Sequence, residues 1–310
     1  MVAFFTVLDK LITLFIYLLV GYIIRKKNII DDNFTSGLVK LLMNVCLPFL
    51  NINTFQADYT PEMLTKGASI FVVGLCVYAG SFIIGWLTST AFKADRSIKG
   101  IWIFMTIFSN NLFMGFPVVE ALFGKEALFY AALLNIPNAI LIFTVGIYII
   151  SKYGGKEGEK LSLRKRFVTP INIAMVIGLI FFVTGIKLPS SVAAATSGIS
   201  SITTPLAMMY IGIIMSKNKI SEAFNDKKVY IISFFRLIVI PLLIFFVAGR
   251  FVSDMAVLGV LVISFAMPVS GNGATFVGQY GGDVGFASRL TFVSTLLSLI
   301  TMPFISLLLI

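Results

Sequence analysis

Ser109-Asn110-Asn111-Leu112-Phe113-Met114-Gly115-Phe116-Pro117 and Ala266-Met267-Pro268-Val269-Ser270-Gly271-Asn272-Gly273 each lie near the centre of a long apolar run. Proline removes a backbone donor and clashes with the preceding turn, so each run reads as an interrupted helix. In hydrocarbon, freed backbone groups are tolerated only against protein or a water-filled cavity. Gly/Pro-interrupted spans at corresponding positions of two halves mark the binding site of a carrier. The polar and glycine residues gather at the same places: Ser109, Asn110, Asn111 and Gly115, then Ser270, Gly271, Asn272 and Gly273. A buried amide without a partner costs about 1–3 kcal/mol. These clusters therefore read as the lining of a solute cavity, with a simple proline kink as the competing reading. Half-helices beginning near Pro117 and Pro268 would offer free N–H groups and a dipole end of about +0.5 charge. With the neutral donors of Asn110, Asn111 and Asn272, that is a site for a small carboxylate that needs no buried lysine or arginine.

The composition requires a membrane protein. Of the 310 residues, 58 % are hydrophobic and 12 % charged, and mean hydropathy is +0.99, which excludes an ordinary soluble domain. Ten apolar runs have the length needed to cross a ~30 Å hydrocarbon core. They cover about 5–24, 35–54, 66–91, 98–123, 126–150, 168–187, 192–216, 228–249, 254–279 and 285–309. The first begins almost at Met1 without the cleavage pattern of a signal peptide, so it is expected to be retained.

Net charge of +10 would suggest nucleic acid in a soluble protein. Here 16 of the 24 basic residues fall in alternate connections, around Arg25–Lys27, Lys93–Lys99, Lys152–Arg166 and Lys217–Lys228. The positive-inside rule makes those connections cytoplasmic and puts both termini outside. A bacterial plasma or inner membrane fits the isoleucine-, phenylalanine- and lysine-rich composition. Cys46 and Cys76 sit inside apolar spans and read as small buried hydrophobes. Histidine is absent, which removes imidazole-based metal sites, triads and proton relays. The sequence holds no metal-ligand spacing and no cofactor motif.

The longest polar connector, 151–167, divides the spans five and five, giving a first repeat over 1–150 and a second over 168–310. Because five is odd, the second half enters the membrane from the opposite side, so internal similarity means an inverted repeat. Pro48 and Pro205, Gly124 and Gly281, and Glu126 and Asp283 are each 157 apart. Pro117 and Pro268 are 151 apart, which a six-residue insertion would reconcile. The expected fold is an all-α polytopic membrane protein whose broken fourth and ninth spans cross. Pro48 and Pro205, in the second and seventh spans, mark either kinks or a gating hinge.

Other residues extend the candidate site. Asn135 and Asn138 share one helical face beside Pro137. Ser288, Thr291, Ser294, Thr295 and Ser298 form a polar stripe in the tenth span. Arg236 lies about two turns into the eighth span, where an ion costs at least ~2.5–3.5 kcal/mol. It either pairs with a carboxylate between helices or draws anions into an inner vestibule. Glu120, one turn after Pro117, either couples transport to protons, stabilises its half-helix, or meets Lys125.

Asn110…Gly115-Phe116-Pro117 with Glu120-Ala121-Leu122-Phe123-Gly124 resembles the fourth helix of the auxin efflux carrier family. Ala266-Met267-Pro268-Val269, Gln279-Tyr280-Gly281-Gly282-Asp283 and Ser294-Thr295-Leu296-Leu297-Ser298 resemble its ninth and tenth helices. The resemblance covers essentially the full chain. It implies an elevator-like carrier of the type shared with bile-acid and sodium/proton transporters. Spans one, two, six and seven would form a scaffold, often dimeric, and the remaining spans a transport domain. It also implies substrates that are organic acid anions, such as malate, malonate or auxin-like acids. The long cytoplasmic loop of many plant members is absent. Ser270 and Asn272 stand where the resemblance to bile-acid carriers would require sodium-site acids.

A secondary carrier of small organic anions is the leading reading, with the lipid bilayer and that solute as its partners. A sodium- or proton-coupled antiporter, or a bile-acid-type symporter on the same fold, is the alternative. An intramembrane enzyme is disfavoured by the lack of histidine, of a close carboxylate pair and of a base beside cysteine.

Overall fold

The computed structural model describes residues 2–56, 60–155, 168–216, 224, 226–271 and 273–309. Helical segments follow one another as α1 (Val2–Lys26), α2 (Asp32–Thr54), α3 (Pro61–Ala91), α4 (Arg96–Ile107), α5 (Asn111–Phe123) and α6 (Ala127–Gly154). After the basic connector come α7 (Pro170–Thr184), α8 (Ser190–Ser216), α9 (Lys227–Ala248), α10 (Met255–Ala266), α11 (Gly273–Tyr280) and α12 (Val284–Leu307). Every expected apolar run contains helix. Among the described residues, α2, most of α3, α6, α8, α9 and α12 are long and apolar enough to cross a membrane.

Side-chain caps fix where several of these helices begin. Asp31, Thr60, Thr169, Asp254 and Asp283 each accept from an N–H of the following first turn, satisfying donors that have no helical partner. Proline is handled by widened turns. π-helical turns at Leu42–Cys46, Asn111–Gly115 and Phe235–Val239 each end two residues before Pro48, Pro117 and Pro241. Widening the turn moves the carbonyl with which the pyrrolidine ring would clash, so the helix runs on through the proline.

This corrects the expected position of the first break. Pro117 lies inside α5, and the chain breaks earlier, at Phe108–Asn110, whereas Pro268 lies in the second break itself. Ser109 pairs with Val269 across the crossing. Gly124 and Gly281, matched in sequence, follow α5 and α11 with φ of 85° and 98°, a conformation open to residues without Cβ.

Two groups of helices pack most extensively among themselves, and they meet where α1 contacts α5 and α12 and where α8 contacts α5. In one, α1 runs against α8, and α2 against α7 and α8. In the other, α3 packs on α4 and α6, α9 and α11 on α12, and α10 on α5, α6 and α12. Val72, Phe82, Ile83 and Trp86 of α3 and Ile173, Val176, Ile180 and Val183 of α7 are exposed, as side chains in contact with lipid must be.

The α1–α8 contact is backbone on backbone. A Cβ at Gly21 would stand 2.0 Å from the Met209 carbonyl oxygen, and one at Gly212 would stand 1.9 Å from that of Leu18. Small residues permit such approach in membranes. Gly212→Ala is therefore expected to force α1 and α8 apart and lower the thermal midpoint of the purified protein by several degrees. Gly198→Ala, also in α8 but with nothing within 4 Å of its Cβ, should leave the midpoint equal or slightly higher.

Candidate solute site at the crossing of two broken helices

The two interruptions meet and satisfy each other. The Asn110 N–H donates to the Pro268 carbonyl at 2.9 Å, and the Ser270 N–H donates to the Phe108 carbonyl at 3.0 Å. This reciprocal antiparallel exchange removes two donors and two acceptors that hydrocarbon would otherwise penalise. Proline suits position 268, because its carbonyl is used there and its missing N–H is not required. Ser109 Oγ lies 2.9 Å from the Ser264 carbonyl and 3.1 Å from Asn111 Oδ1, tying the first break to the last turn of α10. The Val269 N–H reaches Ser294 Oγ of α12 at 3.4 Å. Gly115 completes the fit, since its Cβ would meet Asn111 Oδ1 at 3.2 Å and Met267 Cγ at 3.4 Å.

Each break leaves a helix C-terminus whose last carbonyls lack partners. Arg236 of α9 meets both ends. Its Nη1 donates to the Thr106 carbonyl at 3.1 Å and the Ile107 carbonyl at 3.4 Å, and its Nε donates to the Met267 carbonyl at 3.3 Å. The guanidinium also lies 5.4 Å from the Phe265 ring centroid. Arg236 is 0 % exposed, and among the described residues no carboxylate lies within ion-pair distance of it. The balancing charge is main-chain: two C-terminal dipole ends of about −0.5 each amount to about one negative charge.

The positive ends of the downstream half-helices have no such compensation. Neither the first turn of α5 nor that of α11 contains an acidic residue. The first turn of α5 opens on a cavity of about 110 Å³ lined by Ser109, Asn110, Asn111, Asn135, Asn138 and Ser270, among others. Among the described residues, no ionisable side chain lines it. Asn138 Nδ2 donates to Asn135 Oδ1 at 3.2 Å, which leaves Asn138 Oδ1 buried without a protein partner. Asn110 and Phe113 also line a smaller cavity of about 40 Å³, closed by Tyr210, Gly271, Thr291 and Thr295.

The expected site residues divide accordingly. Asn110, Asn111, Asn135, Asn138 and Ser270 come together around one cavity. Gly115 and Pro268 shape the crossing, and Pro117 is buried within α5 without lining the cavity. Asn272 lies outside the described residues. Thr291 and Thr295 of the polar stripe line the smaller cavity, although Thr291, Ser294, Thr295 and Ser298 all donate to carbonyls of their own helix. Glu120 stands apart: it accepts from Thr204 Oγ1 of α8 at 2.9 Å and lines a separate cavity of about 320 Å³ with Lys125 and Glu126.

The residue pattern did not single out Thr169, Asn172, Phe143 and Phe276, which also line the amide cavity. Thr169-Pro170 followed by Asn172 opens an apolar run with a cap and a lone amide, and that was the available signal. The two rings carry none, because phenylalanine is frequent throughout this chain.

A family model described as membrane transport protein matches residues 6–306. An uncharacterized transporter of Methanothermobacter thermautotrophicus is 24 % identical over 298 residues, covering 95 % of this chain and 96 % of the relative. One of Methanocaldococcus jannaschii is 26 % identical over 301 residues, covering 94 % and 96 %. The uncharacterized transporter YfdV of Escherichia coli K12 is 23 % identical over 312 residues, covering 98 % and 97 %. A family match over nearly the whole length, joined to these apolar helices and to relatives described as transporters, means that the chain is an integral membrane protein, not an enzyme, and belongs to the membrane transport protein family that includes the auxin efflux carriers.

Proposed function

We propose that this protein is a secondary-active carrier of small organic anions, bound where the two broken helices cross. The observation that carries the reading is the charge balance there. Arg236 neutralises the two negative helix ends, while the two positive ends have no acidic partner. The remainder is about one positive charge, presented beside neutral amides with buried hydrogen-bonding capacity. A carboxylate supplies the negative charge that the site lacks, and a hydroxyl such as that of malate would donate to the unpartnered Asn138 Oδ1. At about 110 Å³ the cavity is smaller than the roughly 300–1,000 Å³ of ordinary ligand pockets. The volume favours short carboxylates such as malonate or malate over ring-bearing auxin-like acids.

The carrier has ten spans in an inverted five-plus-five arrangement, α4/α5 and α10/α11 being its broken fourth and ninth spans. The antiparallel bridge between Ser109 and Val269 and the glycine turns at Gly124 and Gly281 support that symmetry. The group formed by α1, α2, α7 and α8 is the scaffold, and a homodimer would form through it. The other group carries the solute in an elevator-like movement. Thr169 and Asn172 at the cavity wall adjoin the basic connector, so this conformation opens toward the cytoplasm, with both termini outside a bacterial plasma membrane.

Uptake and counterflow of labelled short carboxylates in proteoliposomes test this directly. Asn111→Ala and Asn138→Ala are each expected to lower saturable uptake about 10-fold or more, the scale of one lost buried hydrogen bond. Undiminished flux in both variants, with unchanged thermal midpoints, would refute the site.

The Glu120–Thr204 contact favours one alternative, proton-coupled exchange on the same fold. It joins α5 of the moving group to α8 of the scaffold. In the leading reading Glu120→Gln retains the wild-type dependence of uptake on pH, because the amide oxygen still accepts from Thr204. A flattened pH profile in that variant would favour proton coupling.

A further inference from the structure

We propose that Arg236 is a resident cation: a positioning residue whose guanidinium occupies the carbonyl positions at the crossing that a coupling sodium ion would otherwise hold. In carriers with broken helices, unwound carbonyls and half-helix C-terminal ends are where sodium is coordinated. Here Thr106, Ile107 and Met267 supply such carbonyls from both helices, and all three already receive N–H groups of Arg236.

Three further observations support a permanent rather than an exchangeable ion. Arg236 is fully buried, as are Trp102, Phe104, Phe108 and Phe265, among the largest buried side chains of the protein. A guanidinium is not deprotonated in proteins and cannot diffuse away. No group of three aspartate, glutamate or cysteine side chains able to hold a metal ion occurs among the described residues. The titratable group facing the guanidinium is the Tyr78 hydroxyl of α3, also buried. Among the described residues, nothing near Arg236 therefore offers a carboxylate that a mobile cation could share.

This inference rests on the carrier reading only where coupling is concerned; its stability readout is independent of any solute. The thermal midpoint of the purified protein should be the same in sodium, potassium and choline chloride at equal ionic strength. Arg236→Lys keeps the charge with fewer donors and should lose a few degrees. Arg236→Gln keeps donors without the charge and should lose more than the lysine variant, by about 5 °C or beyond. If Arg236→Gln fails to fold, the ion series on the wild type and the Arg236→Lys midpoint still decide. A sodium-specific rise in the wild-type midpoint would overturn the proposal. So would equal losses in the two variants, or no loss in Arg236→Gln. In proteoliposomes that transport a carboxylate, replacing sodium by choline should leave the rate unchanged.

Discussion

Two helices cannot stop in the middle of a bilayer unless their cut ends find partners, and the rest of this structure follows from how that is done. The breaks at Phe108–Asn110 and around Pro268 exchange two main-chain hydrogen bonds, which satisfies the groups nearest the crossing. The remaining carbonyls on the negative side are closed by one arginine from a third helix. A buried charge is tolerated only when paired. The partner here is the sum of two helix dipoles, so the pairing exists only while both helices end at that point. Arginine and crossing therefore stabilise each other.

The same arrangement separates two electrostatic tasks. The negative ends are dealt with on the Arg236 side, behind Thr106, Ile107 and Met267. The first turn of α5 opens on the cavity side, where Asn110, Asn111, Asn135 and Asn138 stand. In the proposed site, solute affinity would come from peptide N–H groups and amides on helices held in place by the reciprocal bonds. Phe104, Phe108 and Phe265 pack around the crossing, with ring centroids of Phe104 and Phe108 at 4.9 Å and of Tyr78 and Phe265 at 4.8 Å. That packing keeps lipid and water from competing for the backbone.

Much of the arrangement was legible because polar residues in an apolar run are costly and must have a purpose. The clusters around Asn110 and Ser270 announced the breaks, and Asn135 and Asn138 announced a third wall. The exact point of the first break was not legible. Proline signals a missing donor but not the local remedy, and a π turn before Pro117 let the helix continue where a stop was expected. The first half-helix therefore begins at Asn111, ahead of Pro117, and not at the proline itself. Arg236 was visible as an anomaly, but its partners were main-chain atoms from residues about 130 and 31 positions away. Composition carries no trace of carbonyls left over at a helix end. Sequence reasoning placed the positive dipole ends of the half-helices but not the negative ones, and offered Arg236 a carboxylate partner or an anion-drawing vestibule instead.

The placement of the arginine behind the site, not in it, bears on turnover. A carrier must release what it binds, and a free energy of about −4 kcal/mol already corresponds to millimolar affinity. Breaking a buried pair between arginine and a carboxylate costs about 3–5 kcal/mol, over and above the hydrogen bonds that the departing solute gives up. Were Arg236 in the cavity wall, every release step would carry that penalty. With Nε and Nη1 committed to Thr106, Ile107 and Met267, it stands behind the crossing without an ion pair that must be broken. In the proposed carrier the solute would then face donors that each hold it weakly, which is the condition for a site that fills on one side of a membrane and empties on the other.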